Sequence, residues 1–148
     1  MENMSIDHEQ LIHAMGDSVV VADAAGNISY WNPAATRIFG FTEEEAMGRP
    51  LDLIIPERQR PRHNEGYAKT VATGTTRYGT SLLRVPAQHK DGHRISIAFT
   101  VALLTGDDGR VLGVAAVIRD ETARFAEEQQ LRKRITELEM AARGTGSS

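Results

Sequence analysis

Histidine is the residue type in this chain best suited to hold a metal ion or a prosthetic group. The 148 residues contain five histidines and no cysteine. A neutral imidazole binds transition metals through a ring nitrogen. The lack of cysteine excludes disulfides, thiolate ligands, thiol nucleophiles and any flavin attached through sulfur. His63 lies in a segment with helical spacing, so a rigid backbone would present its ring. The chemistry to consider first is therefore ligation by one helical histidine.

The other polar clusters give little support for catalysis or metal binding. His89 and His93 flank the turn at residues 90–92 (KDG), where we expect both to be solvated, and they lack a plausible third partner for zinc. Residues 43–45 are three adjacent glutamates on a helix, where neighbouring side chains do not converge. The glycines match no phosphate-binding fingerprint, and no Ser/His/Asp arrangement is visible. We therefore expect that the chain is not an enzyme.

Length and composition fit a single domain. Hydrophobic residues make up 41% and charged residues 25% of the chain, close to the averages of globular domains. The net charge of −3 gives no reason to expect nucleic acid or an anionic membrane as a partner. No apolar run approaches the about 20 residues that cross a bilayer, and the polar, acidic N-terminus does not resemble a signal peptide. The expected compartment is the cytoplasm.

The order of predicted elements describes an α+β domain. Alternating or β-branched residues predict strands, and caps with helical spacing predict helices. The predicted strands are 18–22, 28–31, 81–87, 93–104 and 111–119, and the predicted central helices are 33–39, 42–48 and 59–73. This order predicts a five-stranded antiparallel sheet with helices across one face. A cavity between such layers is a common place for a small ligand.

Two flanking helices complete the predicted organisation. The parts are an N-terminal flanking helix at 1–16, a central domain at 17–120, a C-terminal helix at 121–143 and a flexible tail at 144–148. Leu131, Ile135 and Leu138 recur at four- and three-residue steps, as in a short coiled coil. They either join two subunits or fold back onto the sheet. The strong charge on the other faces of the helix favours a homodimer through the terminal helices, where His8 and His13 are surface or contact residues.

Several short motifs, in this order and spacing, resemble the PAS superfamily over residues 10–122. They are Asp23 with Gly26, Trp31-Asn32-Pro33-Ala34-Ala35, Phe39-Gly40-Phe41, Gly48-Arg49-Pro50, Pro56-Glu57, Thr73-Gly74, Lys90-Asp91-Gly92 and Asp120-Glu121-Thr122. The resemblance implies a PAS fold, with 17–120 as a sensor domain and Asp120 and Thr122 as the link to an output helix. Members of the family sense ligands, light or redox state, or serve as dimerisation modules.

The stretch Arg60-Pro61-Arg62-His63 is similar to the haem-binding PAS domains of bacterial oxygen sensors. Those domains use a histidine on this helix as the proximal iron ligand, and they share the interval of 28 positions between His63 and Asp91. The resemblance implies that haem b, and no flavin, is bound through His63. It further implies contacts from Lys69 and Arg77 to the propionates and a distal lining of Tyr78, Leu83, Phe99 and Val101.

The same resemblance implies an apolar distal side. Leu83 stands where oxygen-binding members have an arginine, and strand alternation turns Arg84 to the opposite face. Ser81 stands where one of these haem-binding domains, that of a bacterial oxygen-sensing phosphodiesterase, has a methionine as the sixth iron ligand. We therefore expect CO, NO or redox sensing rather than stable binding of O₂.

Two haem-free alternatives remain open. One is a PAS module that binds a small organic ligand between sheet and helices, and the other is a dimerisation module without a ligand. The expected lining is Val19, Val21, Ile95, Ile97, Phe99, Val101, Val114 and Ala116. In each case the output would act on a partner of unknown identity, or the chain would be part of a larger regulator.

Overall fold

A five-stranded antiparallel sheet forms the centre of the molecule. The structure is a computed structural model that describes residues 5–76 and 79–146. The strands are β1 (Ser18–Asp23), β2 (Ile28–Trp31), β3 (Leu83–Gln88), β4 (Arg94–Thr105) and β5 (Val111–Asp120). The helices are α1 (His8–Ala14), α2 (Pro33–Phe39), α3 (Glu43–Ala46), α4 (Arg60–Thr73) and α5 (Thr122–Gly146), with single 3₁₀ turns at Leu51–Ile54 and Glu57–Gln59. The strand order is β2-β1-β5-β4-β3, and the predicted α+β class is confirmed.

The strand register decides which side chains face the helices. Residues directly opposite each other in antiparallel strands point to the same face. Val20 pairs with Ala116, which pairs in turn with Val101, and Val20 belongs to the hydrophobic core. Val19 and Val21 pair with Val117 and Ala115 on the other face. The expectation that they line the cavity is therefore wrong. Because residues 19–22 are all apolar, the sequence does not show which of them face the helices.

The tightest packing lies between the sheet and α2. Phe39 is fully buried, and its ring centroid lies 5.6 Å from that of Trp31 at an angle of 44°. Trp31 Nε1 donates at 3.1 Å to Thr36 Oγ1 and to the carbonyl oxygen of Phe41. Tilted aromatic contacts and a satisfied indole N–H are both favourable in a core. This end of the domain is therefore closed.

Local capping signals set the starts of α2 and α3 as predicted. Asn32 Oδ1 accepts from the Ala35 amide at 3.1 Å at the start of α2. At α3 the Thr42 Oγ1 accepts from the Glu45 amide at 3.1 Å, and Glu45 Oε1 accepts from the Thr42 amide at 3.0 Å. Each cap satisfies amides that have no partner inside the helix. Gly40, at φ +85°, ends α2 in the left-handed conformation that glycine favours.

Hydrogen bonds hold the junction between β5 and α5, both within the junction and to β4. Asp120 Oδ1 accepts from the Thr122 amide at 2.9 Å and from Thr122 Oγ1 at 2.5 Å. The Ser96 amide donates to Thr122 Oγ1 at 3.1 Å, and the Glu121 amide donates to the Ser96 carbonyl at 2.8 Å. A displacement of β4 therefore reaches the base of α5 directly.

Helix α5 is longer than predicted and exposed along its length. It continues through residues 144–146, which were expected in a flexible tail; no proline interrupts this region, so the backbone hydrogen bonds can continue. Leu131, Ile135 and Leu138 are 63%, 55% and 58% exposed. They do not fold back onto the sheet in this chain. Within residues 5–76 and 79–146, no helix is long and apolar enough to cross a bilayer.

Candidate functional site

His63 lies in the first half of α4, a helix held against the domain by a tyrosine. Pro61 occupies the first turn, where its missing N–H costs nothing. The Tyr67 hydroxyl donates to the Asp23 carbonyl oxygen at 2.5 Å, at the turn between β1 and β2. The His63 and Tyr67 rings lie 6.0 Å apart at 33°. His63 is therefore presented beside an anchored residue one helical turn away.

The surroundings of His63 favour its neutral form. Burial lowers the pKa of the His63 imidazole below its usual value, and the nearby Asn64 and Asp52 oppose this effect. Removal of water penalises the charged ring more than the neutral one. Neutral imidazole is the form that binds a metal ion. The same physics raises the pKa of Tyr67 to about 12, so its hydroxyl remains a donor.

An incompletely covered apolar wall lies on the inner face of β4. Ile95 and Ile97 are 4% and 5% exposed. Phe99, Val101 and Leu103 follow on the same face but are only half-buried. Leu103 pairs with Val114 of β5, the strand that α4 contacts near Val111. One half of this strand face is therefore covered, and the other half is only partly covered.

The structure brings three of the predicted lining residues onto one face. Leu83 is the first residue of β3, two positions later than the predicted start, and it pairs with Phe99. Val101 follows two residues after Phe99 and therefore shares its face. Lys69 is exposed on α4. Arg77 and Tyr78, the other predicted contacts, lie outside the described residues.

Arg84 points away from this wall, as strand alternation predicts. It pairs with Ala98, and its Nε donates to Glu121 Oε2 at 3.2 Å. That partner lies at the base of α5. The guanidinium is thus engaged on the outer face and is not available to a ligand beside Leu83.

Two cavities lie beside Gln88. One of about 260 Å³ is bordered by Arg58 and Arg94, and the other, of about 320 Å³, by Arg49 and Arg60. Neither is bordered by His63 or by the half-buried part of the β4 wall. Their arginines come from separate elements of the fold, and no sequence spacing indicated that they would meet.

A histidine pair at the β3–β4 turn has a third potential ligand. His89, Asp91 and His93 each offer one ligand atom, and these atoms lie within 4.8 Å of one another. The expectation that the two histidines lack a third partner is therefore wrong. The signal was available in the Asp-Gly turn, because a tight turn places the residues at its two ends, His89 and His93, opposite each other.

Comparison with known proteins agrees with this fold. The family model described as the PAS fold matches residues 7–120. The chain is 28% identical over 116 residues to the oxygen sensor protein DosP of Escherichia coli, covering 78% of this chain and 14% of DosP. It is 28% identical over 131 residues to the sensor protein FixL of Bradyrhizobium diazoefficiens, covering 87% of this chain and 24% of FixL. The chain thus corresponds to a small part of each relative.

A solved structure supports the same architecture. The PAS domain of a Colwellia psychrerythraea protein superposes with a TM-score of 0.68 at 22% identity, covering 78% of this chain and 95% of that one. A likeness at this identity shows the fold, a five-stranded sheet with helices across one face. The chain belongs to the PAS family.

Proposed function

We propose that this PAS domain is a non-catalytic sensor that binds haem b through His63 and responds to a diatomic gas or to redox state. The observation that carries the proposal is the half-buried His63 on α4, whose lowered pKa favours the neutral imidazole that binds iron. Similarity to an oxygen sensor and to FixL supports it. Bound haem would supply an iron that takes a diatomic ligand or changes oxidation state.

The described residues fit the donor requirements of this group. His63 offers a neutral imidazole, and Phe99 and Val101 offer apolar surface for the macrocycle. Lys69, exposed on the same helix, is suited to pair with a propionate. None of the 14 residues of α4 is fully buried. Helices with few buried contacts move at lower cost than core helices, so an outward shift of α4 that admits the group would have to break or carry along the hydrogen bond from Tyr67 to Asp23.

The residues facing the ligand side favour CO and NO over stable oxygen binding. Leu83 lies opposite Phe99, and Arg84 is held by Glu121 on the outer face. A bound gas beside Leu83 would meet no side-chain donor from β3. Bound oxygen carries partial negative charge and gains most from a hydrogen-bond donor, whereas CO depends on one far less.

A spectroscopic titration with hemin tests this function. We expect the untagged protein to develop a sharp Soret band that is lost or shifted in His63→Ala, because the axial nitrogen is removed. His13→Ala, which removes an exposed histidine from α1, is the matched control and should keep the wild-type band. A His63→Ala spectrum identical to the wild type would exclude His63 as the ligand. Free-hemin absorption in all three proteins would exclude haem binding altogether.

We further propose that α5 joins two copies of the domain and carries the signal outward. The exposed Leu131, Ile135 and Leu138 form a continuous apolar seam, and Thr122 couples the base of the helix to β4. A change in the cavity shifts the output only if its ligand binds the two conformations with different affinity. The receiver is an effector in the same polypeptide or a separate partner.

The dimer predicts a clear change in sedimentation. Leu131→Asp places a charge in the seam and should convert the dimer into a monomer, since burying an unpaired carboxylate is costly. Gln130→Asp adds the same charge outside the seam and should remain dimeric. Sedimentation velocity at matched concentrations distinguishes the two. Equal sedimentation of Leu131→Asp and wild type would contradict a dimer through this seam.

A haem-free ligand sensor is the second candidate, favoured by the cavity beside Arg49 and Arg60. Its volume of about 320 Å³ falls at the lower end of the range for small-molecule sites, about 300–1,000 Å³. Phe41 and Leu53 add apolar surface to the two arginines and to the carboxylate of Asp52, which suits a small polar organic molecule. Native mass spectrometry of the purified protein should then show an added mass that Arg60→Ala loses. If the protein shows no added mass and binds no hemin, dimerisation remains as its function.

A further inference from the structure

We propose that the β3–β4 turn is a binding site for a divalent transition-metal ion, with His89, Asp91 and His93 as ligands. The three potential ligand atoms lie within 4.8 Å of one another. The site lies outside the haem proposal, since it shares no residue with it. Two imidazoles and one carboxylate form a donor set that suits Zn²⁺ and its neighbours in the first transition row.

The distance between His89 and Asp91 is close to that between two ligands of a tetrahedral ion. His89 Nδ1 lies 3.2 Å from Asp91 Oδ1. A tetrahedral Zn²⁺ with ligands at about 2.0–2.1 Å holds them about 3.3 Å apart. His93 Nδ1 contacts the same carboxylate oxygen. The rings of His89 and His93 stack with centroids 4.5 Å apart at 24°, so both present an edge toward Asp91.

The ligand lone pairs are directed into the turn. The Asp91 amide donates to His89 Nδ1 at 3.2 Å, which requires that this nitrogen be unprotonated. A metal ion would replace this long hydrogen bond with a coordinate bond. An aspartate carboxylate is ordinarily charged at neutral pH, as a ligand must be.

The turn is held in place by the rest of the domain, which pre-organises the ligands. The Lys90 amide donates to the Phe39 carbonyl at 2.8 Å, and Lys90 Nζ pairs with Glu45 Oε2 at 2.6 Å. The His89 ring lies against Gly40, where a Cβ would come within 2.5 Å of it. Only a glycine leaves room for this ring. His89 is consequently the fixed ligand, and the more exposed His93 completes the site.

Accessibility agrees with binding from solution. The side chains of Asp91 and His93 are 61% and 54% exposed, whereas that of His89 is 24% exposed. An ion can enter without any backbone movement and keep water in its remaining coordination position. A metal held here would connect β3 and β4 at the end of the hairpin that contacts α2 and α3.

Metal titration of the untagged chain tests the site. Zn²⁺ affinity would be measured by competition with a chromogenic chelator, and Co²⁺ would report tetrahedral coordination through its visible absorption. Removing a residue that only orients a metal ligand lowers metal affinity by about 10–100-fold. His93→Ala removes a ligand itself, so we expect it to weaken Zn²⁺ binding at least about 10-fold. Asp91→Asn keeps the shape of the turn and should weaken it as well.

Two histidine variants outside the turn serve as controls. His13→Ala and His63→Ala should bind Zn²⁺ as the wild type does, and the latter separates this site from the haem proposal. Circular dichroism would establish that His93→Ala, changed at an exposed position, remains folded. Absence of saturable Zn²⁺ uptake by the wild type would overturn the proposal. So would equal Zn²⁺ affinity in His93→Ala and the wild type.

Discussion

Replacing Asn32 with alanine should lower the free energy of unfolding by about 3 kcal/mol, from a lost N-cap of about 1 kcal/mol and a buried N–H left without a partner at about 1–3 kcal/mol. The side chain is fully buried. Its Oδ1 accepts from the Val19 amide at 2.9 Å and from the Ala35 amide at 3.1 Å. The Val19 amide would lose its partner inside the protein, where water cannot replace it.

The amide nitrogen of Asn32 has a separate role. Nδ2 donates at 3.0 Å to the carbonyl oxygens of Ile12 and Asp17. One side chain thus connects the end of α1, the start of β1 and the first turn of α2. Loss of these bonds should also loosen α1 from the domain, with faster amide exchange in residues 8–14.

Urea denaturation of three variants would separate these contributions. Asn32→Asp keeps an acceptor for Val19 and Ala35 but loses both donors and introduces a charge. Asn64→Ala removes an exposed asparagine from α4 and should stay within about 0.5 kcal/mol of wild type. If Asn32→Ala were as stable as Asn64→Ala, the buried network would not contribute as described.

Replacing Gly113 with alanine should destabilise the domain by about 3 kcal/mol, at the upper end of the usual cost of overpacking. A Cβ at this position would lie 2.6 Å from the carbonyl oxygen of Ala22. That oxygen belongs to the backbone of β1, which pairs with β5 at the centre of the sheet. The clash can be relieved only by separating the two strands, because the contacting atom belongs to the backbone and cannot rotate away as a flexible side chain could.

Gly66 provides a matched control for the same chemical change. It lies within α4, and a Cβ there meets nothing within 4 Å. Gly66→Ala should raise the free energy of unfolding by about 0.5–1 kcal/mol, because alanine is the better helix former. Chemical denaturation should therefore give opposite signs for the two variants. A stable Gly113→Ala protein would mean that β1 and β5 can move apart at little cost.

Local sequence determined most of the secondary structure. Asn32-Pro33 starts α2, Gly40 ends it, and Thr42 with Glu45 caps α3, each at the predicted position. These signals need only hydrogen bonds and backbone angles within a few residues. Alternation along β4 likewise identified its inner face, and the same rule placed Arg84 on the outer face. Such patterns can be interpreted from the sequence because the interactions that produce them lie within one helix or strand.

The register of β1 and the contents of the candidate sites were decided only by the tertiary structure. The sequence did not show which face of the sheet carries Val19 and Val21, and the pairing of β1 with β5 determines it. His63 was recognisable from its motif, but its lowered pKa depends on burial by distant parts of the chain. His89 faces Asp91 and His93 in a turn that is held against α2 by the amide of Lys90 and by the space at Gly40. Contacts between residues far apart in sequence depend on how whole elements pack, and no local pattern encodes that packing.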